Sequence, residues 1–235
     1  MKPPASSPCL ADEFDPAHVD PEQAHDLAVW RKVTRLRLLA ERAAMAVDVR
    51  HDASYVIADH LDRVLGDRFG SLQGLTISAW WPIKAELNLR LWLASLAARG
   101  AQAALPLVVT QGAPLIFRPW TPETRMERGV WSIPVPAEGP EVTPDVTLAP
   151  VVGWDGAGFR LGYGGGYFDR TLAVLSPRPF VIGVGFDAAR LPTIFPQPHD
   201  IPMQIIVTET GRQTLQVKAG PPLPSKCTPV VGLRF

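Results

Sequence analysis

Between residues 160 and 170 the chain reads Arg160-Leu161-Gly162-Tyr163-Gly164-Gly165-Gly166-Tyr167-Phe168-Asp169-Arg170. Four of the five residues from 162 to 166 are glycine, so the backbone there can turn several N–H groups toward an anion. A helix starting just after the loop adds about half a positive charge at its N-terminus. No Lys-Ser/Thr pair follows, which excludes a Walker A loop, and Tyr167 stands where a dinucleotide fingerprint needs its third glycine. Composition leaves two readings open: a phosphate cradle, or a tight turn that packs a helix against a sheet. Arg31 and Arg35 lie four residues apart, with Arg42 two turns beyond Arg35. On a helix such like charges cost roughly a few tenths of a kcal/mol per pair unless an anion or an acid compensates. They are read either as an anion-binding face or as a solvated basic face partly neutralised by Glu41. Asp169 falls in the first turn after the loop, where the helix dipole favours an acid, and Asp200 sits in Pro198-His199-Asp200. His199 is read as part of the loop structure. No Ser/His/Asp order, HExxH or CxxC motif points to hydrolase or zinc chemistry.

These residues need a frame, and the apolar pattern supplies one. Trp30, Val33, Leu36, Leu39, Ala43 and Ala46 recur at three- and four-residue steps, which predicts an amphipathic helix over about 26–47. A second helix is expected over about 52–66, ended near Gly66, a third over 87–99, stopped by Gly100, and a fourth over 167–175. Strands are expected at 74–81, 103–109, 114–120, 145–152, 180–186 and Ile205–Thr208. Strands alternating with helices imply an α/β fold, a layered α/β/α domain with a mainly parallel central sheet. Ligands of such sheets bind at the loops leaving the C-terminal strand ends.

The chain has 235 residues, 46% of them hydrophobic, and a formal net charge of zero. That length hides roughly 70–75% of its unfolded surface on folding. The composition excludes disordered, collagenous and disulfide-rich classes. The balanced charge argues against a nucleic-acid binder. No apolar run approaches the ~20 residues of a membrane span, and the start of the chain has no apolar signal core. Cys9 and Cys227 lie near opposite ends, with no disulfide or metal spacing. A cytoplasmic protein is expected. Residues 1–27 hold five prolines and six acids against one lysine, and read as an acidic, proline-rich arm. Residues 28–218 form the α/β domain, and 219–235 a proline-rich tail. The arm carries a net −5 and the remainder +5, so the zero total conceals a mildly basic body.

The loop signature RLGYGGGYFDR resembles that of the 5-formyltetrahydrofolate cyclo-ligase family, also called 5,10-methenyltetrahydrofolate synthetases. The likeness extends in order over about residues 31–210. It takes in Trp131-Ser-Ile-Pro-Val-Pro136, the apolar strand from Asp145 to Pro150, Val151-Val-Gly-Trp-Asp155, Val181-Ile-Gly-Val-Gly185, Pro198-His-Asp200 and Ile205-Ile-Val-Thr-Glu209. The resemblance implies an α/β enzyme that uses Mg-ATP to cyclise 5-formyltetrahydrofolate to 5,10-methenyltetrahydrofolate, releasing ADP and phosphate. It implies ATP contacts from Arg31, Arg35, Arg160, Leu161, Gly162, Tyr163, Gly164, Gly165, Gly166, Tyr167 and Phe168. Trp81, Glu86, Trp131, Tyr163 and Tyr167 fall at folate-binding positions, and Asp169 and Asp200 at magnesium positions. A tryptophan can cover the flat pteridine face, and a carboxylate can accept N–H groups from its edge in pairs. Magnesium takes one or two carboxylates beside phosphate oxygens and water. The implied partners are thus ATP and a reduced folate, with no nucleic acid, membrane or obligate protein partner. The chain departs from the family pattern at Lys84, Asn88 and Gln204, where acids are common. Other expectations are a paralogue binding another metabolite, an interaction protein working through its acidic arm, and a sugar-phosphate isomerase of similar architecture.

Overall fold

The computed structural model describes residues 21–215. The tail at 219–235, both cysteines and residues 1–20 of the expected arm lie outside the described residues. Helix α1 runs Pro21–Ala44 and α2 Val47–Phe69. The first therefore starts several residues before its apolar pattern does. Pro21 and Glu22 suit a first turn, since proline lacks only an N–H that is unpaired there and an acid faces the positive dipole end. Leu27, expected at the end of the arm, is buried. Helix α2 runs past Gly66 and ends before Gly70, whose φ of 69° makes the left-handed stop and whose N–H returns to the Gly66 carbonyl.

Strands β1 Thr76–Ser78, β2 Gln102–Leu107, β3 Ile116–Pro119, β6 Val146–Pro150, β9 Phe180–Val184, β11 Ile205–Thr208 and β12 Gly211–Arg212 form a seven-stranded sheet. Its order is β12-β11-β9-β6-β1-β2-β3. The five inner strands pair in parallel, and only β3 and β12 at the edges run antiparallel. Strands β4 Met126–Arg128 and β5 Pro134–Pro136 make a separate hairpin, and β7 Gly153–Asp155, β8 Arg160–Leu161 and β10 Arg190–Leu191 a small sheet. Between β1 and β2 the expected helix over 87–99 is shorter: α3 covers Arg90–Ser95, followed by a 3-10 turn at Ala97–Arg99. Leu87 and Leu89 are nonetheless buried. Their burial mimics helical periodicity in a loop. Helix α4 is Tyr167–Val174.

Strand alternation sorts the core into two layers. Val146, Leu148, Ile182, Val184, Ile205 and Val207 join α2 residues Ile57, Leu61 and Leu65 and α3 residues Trp92 and Leu93 in one cluster. Ala149, Val181 and Ile206 point the other way, to Trp154 and Leu172 of α4. A third cluster joins Leu38 of α1 to Val152, Leu161, Leu191 and Ile194, and so lays the first helix across the small sheet beside the strand ends. No described helix is long and apolar enough to cross a membrane.

Candidate functional site

The parallel strands all end toward one rim. There β6 leads through Val151 into the small sheet, β8 ends at Leu161, and residues 162–166 connect it to α4. Two glycines of the loop are required by backbone shape. Gly164 has φ 96° and Gly166, at the start of α4, φ 64°. A Cβ on Gly164 would also approach the Arg35 guanidinium to 3.3 Å. Gly164→Ala is accordingly expected to lower stability by about 1–2 kcal/mol, since alanine resists positive φ. Chemical denaturation of the purified variant measures this; an unchanged midpoint would mean that the loop reshapes freely.

Helix α1 meets this loop with arginines. Arg35 Nε donates to the Gly162 carbonyl at 2.6 Å. Burial, with Arg31 nearby, pulls the Arg35 guanidinium down from its ordinary value. Arg31 forms a two-pronged pair with Asp200, at 2.8 and 3.2 Å. Asp200 also accepts the Gln197 N–H at 2.7 Å. Arg42, two turns further along the same face, donates to the Tyr163 hydroxyl at 2.5 Å and to the Lys84 carbonyl at 3.2 Å. On the other side of the loop, Arg170 donates to the Gly165 carbonyl at 2.5 Å.

Arg160 and Phe168, expected beside phosphate, lie behind the loop. Arg160 is buried and reaches both Asp169 oxygens at 3.2 Å. Asp169 also accepts the Ile201 N–H at 3.1 Å, so this ion pair ties the start of α4 to the loop that carries Asp200. Leu161 is fully buried in the third cluster and Phe168 packs against the second. Asp169 and Asp200 each carry a guanidinium, and no group of three or more His, Cys, Asp or Glu side chains forms a metal cage among the described residues. Gln204, where the family often has an acid, accepts the Val181 N–H at 2.7 Å, and thereby completes the start of β9.

The second half of the site follows β1. Trp81 lies edge-on to Trp120, 6.3 Å between ring centres, with the Arg90 guanidinium 4.8 Å above its ring. Lys84 and Ala85 adopt positive φ of 46° and 62°, a tight turn that brings Glu86 back beneath Trp80. The Glu86 carboxylate accepts the Ile83 N–H at 2.8 Å. Burial raises its pKa, against the opposing pull of that N–H, of Arg42 and of Tyr163. The Tyr163 phenol is itself pushed up to about 12, by burial first and then by the Glu86 charge. A small cleft at the ends of β1, β6 and β9 is lined by Arg42, Trp80, Glu86, Pro150, Val184 and Phe186. From the opposite side the β4–β5 hairpin presents Trp131, exposed at 63%. Its ring lies edge-on to Tyr167 at 5.5 Å. Tyr167 in turn accepts the Gly112 N–H at 3.2 Å.

A further concavity of about 550 Å³ is lined by residues including Leu93, Ala97, Ala103 and Trp120. Glu123 is the sole charged residue on its wall, so it offers no chemistry comparable to the rim. Two positioning groups were given no site role of their own from the sequence. Arg42 lies seven residues after Arg35, and that spacing already put it on the same helical face. Asp155 is buried and accepts three backbone N–H groups, from Ala157, Phe159 and Ile194. Its Asp-Gly context signals a turn but not the distant Ile194. Burial raises its pKa against those bonds.

A layered sheet whose strand ends carry a glycine loop, a covering helix of arginines and an aromatic-carboxylate cleft defines an α/β enzyme with its charged and aromatic groups gathered at one rim. The chain belongs to the 5-formyltetrahydrofolate cyclo-ligase family, whose model matches residues 28–209. It is 30% identical to the 5-formyltetrahydrofolate cyclo-ligase of Mycolicibacterium smegmatis over 182 residues, covering 74% of this chain and 91% of that one. It is 24% identical to the same-named protein of Haemophilus influenzae, covering 74% and 94%. Among solved structures, 5,10-methenyltetrahydrofolate synthetases from Aquifex aeolicus and Mycoplasma pneumoniae superpose with TM-scores of 0.66 and 0.61. Their identities are 23% and 21%, and they cover 84% and 76% of this chain and 97% and 98% of their own. At that identity they show the shared fold.

Proposed function

We propose that the protein cyclises 5-formyltetrahydrofolate to 5,10-methenyltetrahydrofolate at the cost of ATP, in the presence of magnesium. The observation that carries this reading is the convergence of two unlike subsites on one rim of the sheet. One is the glycine loop met by Arg35, with Arg31 on the same helix paired to Asp200; the other is the small cleft lined by Arg42, Trp80 and Glu86, where Arg42 also holds Tyr163. In this reading Arg31, Arg35 and the N–H groups of residues 162–166 hold the triphosphate, with Arg160 supporting the loop from behind. Trp81 covers a pteridine face, Glu86 accepts N–H groups from its edge, and Trp131, Tyr163 and Tyr167 enclose the remainder. The mild positive charge of residues 28–235 suits two anionic ligands.

For the cation, the donor set favours Asp200. Its partner Arg31 has a side chain 15% exposed and lies on the triphosphate side of the rim. Both carboxylates are held on both oxygens by an arginine, and the difference lies in the partner, since the arginine on Asp169 is only 4% exposed. One carboxylate with phosphate oxygens and water suffices for magnesium, so Asp169 keeps its place with Arg160. When bound, the ion neutralises charge on the phosphates. The formyl oxygen of the substrate attacks the γ-phosphorus, and the bond to the ADP oxygen breaks. N10 then attacks the formyl carbon and loses its proton, and the C–O bond breaks as phosphate leaves. The residues named supply position and charge compensation, the main demands of phosphoryl transfer.

The test is the absorbance of 5,10-methenyltetrahydrofolate after mixing the protein with 5-formyltetrahydrofolate, ATP and magnesium. Product that requires ATP supports the reading. ATP binding with no product favours a paralogue acting on another metabolite.

A further inference from the structure

Three segments far apart in the chain meet at one side chain. Arg42, near the end of α1, is buried and donates both to the Tyr163 hydroxyl of the glycine loop and to the Lys84 carbonyl of the turn after β1. Its guanidinium carbon stands 5.7 Å from the Tyr163 ring centre, and the Lys84 ammonium also lies 5.7 Å from it. A guanidinium can only donate. The Tyr163 oxygen therefore acts as acceptor toward Arg42, and its own hydrogen turns to another acceptor. The carboxylate that faces it is Glu86. The direction of this chain, Arg42 to Tyr163 to Glu86, is thus fixed by chemistry at its first member. Arg42 also lines the cleft with Glu86. The turn that it grips at Lys84 is the one whose two positive-φ residues deliver Glu86.

We infer that Arg42 is the positioning residue of the folate side of the site. It pins the Tyr163 phenol and the Lys84–Ala85 turn in the arrangement that presents Glu86 as a hydrogen-bond acceptor to N–H groups of the substrate ring. The inference deepens the cyclo-ligase reading and rests on it for the identity of the ring. The groups that face Glu86 are Arg42 from α1, Tyr163 from the glycine loop and the Ile83 N–H and Trp80 from its own segment. Among them Arg42 is the sole cation, while Lys84 reaches the opposite partner, the Tyr163 ring. Removing Arg42 takes away the neighbouring positive charge and frees the phenol to rotate. Both changes make Glu86 hold its proton more tightly.

The experiment reads Glu86 directly, in protein without substrate. Carbonyl-¹³C glutamate labelling followed by NMR titration gives each carboxylate a midpoint, with the Glu86 signal assigned by its loss in Glu86→Gln. Arg42→Gln is expected to move that midpoint up by about one pH unit. Tyr163→Phe is expected to move it in the same direction by less. The double variant should move it no further than Arg42→Gln alone, because the phenol's hold on Glu86 depends on the arginine that pins it. Arg42→Lys keeps the charge and should return the midpoint to within about 0.3 pH units of the parent. In the cyclisation assay Arg42→Gln should raise KM for 5-formyltetrahydrofolate about tenfold while KM for ATP stays within about threefold. An unmoved Glu86 midpoint, additive shifts from the two single variants, or equal loss toward both substrates in protein of normal thermal stability would each overturn the inference. A parent that makes no methenyltetrahydrofolate sinks the cyclo-ligase reading instead, and the NMR titration still decides whether Arg42 governs Glu86.

Discussion

Replacing Glu86 by glutamine is expected to lower kcat/KM for 5-formyltetrahydrofolate about 10²- to 10³-fold, on the order of 3–4 kcal/mol of lost transition-state binding. The acceptor would become an amide whose NH₂ opposes the substrate's own N–H groups. Truncating one partner of a buried charged hydrogen bond is in this range. The same substitution should leave the fold at least as stable as the parent at neutral pH. Burial raises the Glu86 pKa, so between its ordinary value and its raised one the native state binds a proton that the unfolded chain has released. Stability therefore falls as pH rises through that interval, and the ionised carboxylate is a burden above it. Glutamine has no such charge to bury. In the parent, the acid limb of kcat/KM should lie above the ~4.3 of an ordinary glutamate, and it should vanish in the variant. Steady-state rates across pH, together with thermal melts at neutral pH, check both halves. A Glu86→Gln enzyme with near-normal kcat/KM would remove Glu86 from the substrate site.

Asp169→Ala is expected to act in the opposite manner, through the fold. It strands the Arg160 guanidinium, whose side chain is 4% exposed, and leaves the Ile201 N–H without its acceptor. Breaking one side of a buried pair costs roughly 3–5 kcal/mol. For a chain of this length that corresponds to a fall in Tm on the order of 10 °C. Asp169→Asn keeps an acceptor for the Ile201 N–H and should lose less. Replacing both partners by apolar residues, Arg160→Met with Asp169→Leu, should recover most of the loss, since no charge then remains buried. Turnover falls in these variants because α4 and the Asp200 loop are no longer tied together. Melting curves of the three variants give the answer. An Asp169→Ala protein of normal Tm that has lost only its magnesium dependence would return Asp169 to the metal site.

The two variants mark where sequence reasoning stops. The apolar, β-branched runs of β6, β9 and β11 were legible because each residue of these strands meets one core layer or the other. The glycine loop was legible because only glycine serves at Gly164 and Gly166. Which side of the loop each neighbour takes was not. Arg160 and Asp169 lie nine residues apart, and nothing in their types tells a phosphate ligand from a buried pair. Their burial is decided by Ile201 and its loop, 32 residues beyond Asp169. Strands β4, β5, β7, β8 and β10 have two or three residues each, too few for any period to register, and their pairing is set by partners elsewhere in the chain. Helix α3 is shorter than its apolar pattern because Leu87 and Leu89 enter the main core cluster from the loop ahead of it. Trp131 was expected at the substrate and does stand at the rim, but its exposure and left-handed backbone depend on a hairpin that no local pattern announced.

The grip of α1 on the rim bears on the order in which the molecule is made. Arg31, Arg35 and Arg42 belong to the first described helix, whereas their partners Asp200, Gly162 and Tyr163 lie 169, 127 and 121 residues downstream. Contacts that close such long loops form late and slow the search for the native state. The first helix must therefore wait, with Leu38 and its arginines uncovered, until nearly all of the described chain has been synthesised. An incomplete chain ending before Asp200 has the sheet strands β1, β2, β6 and β9 but not the full clasp of α1 on the rim, which closes only when the segment carrying Asp200 has been made.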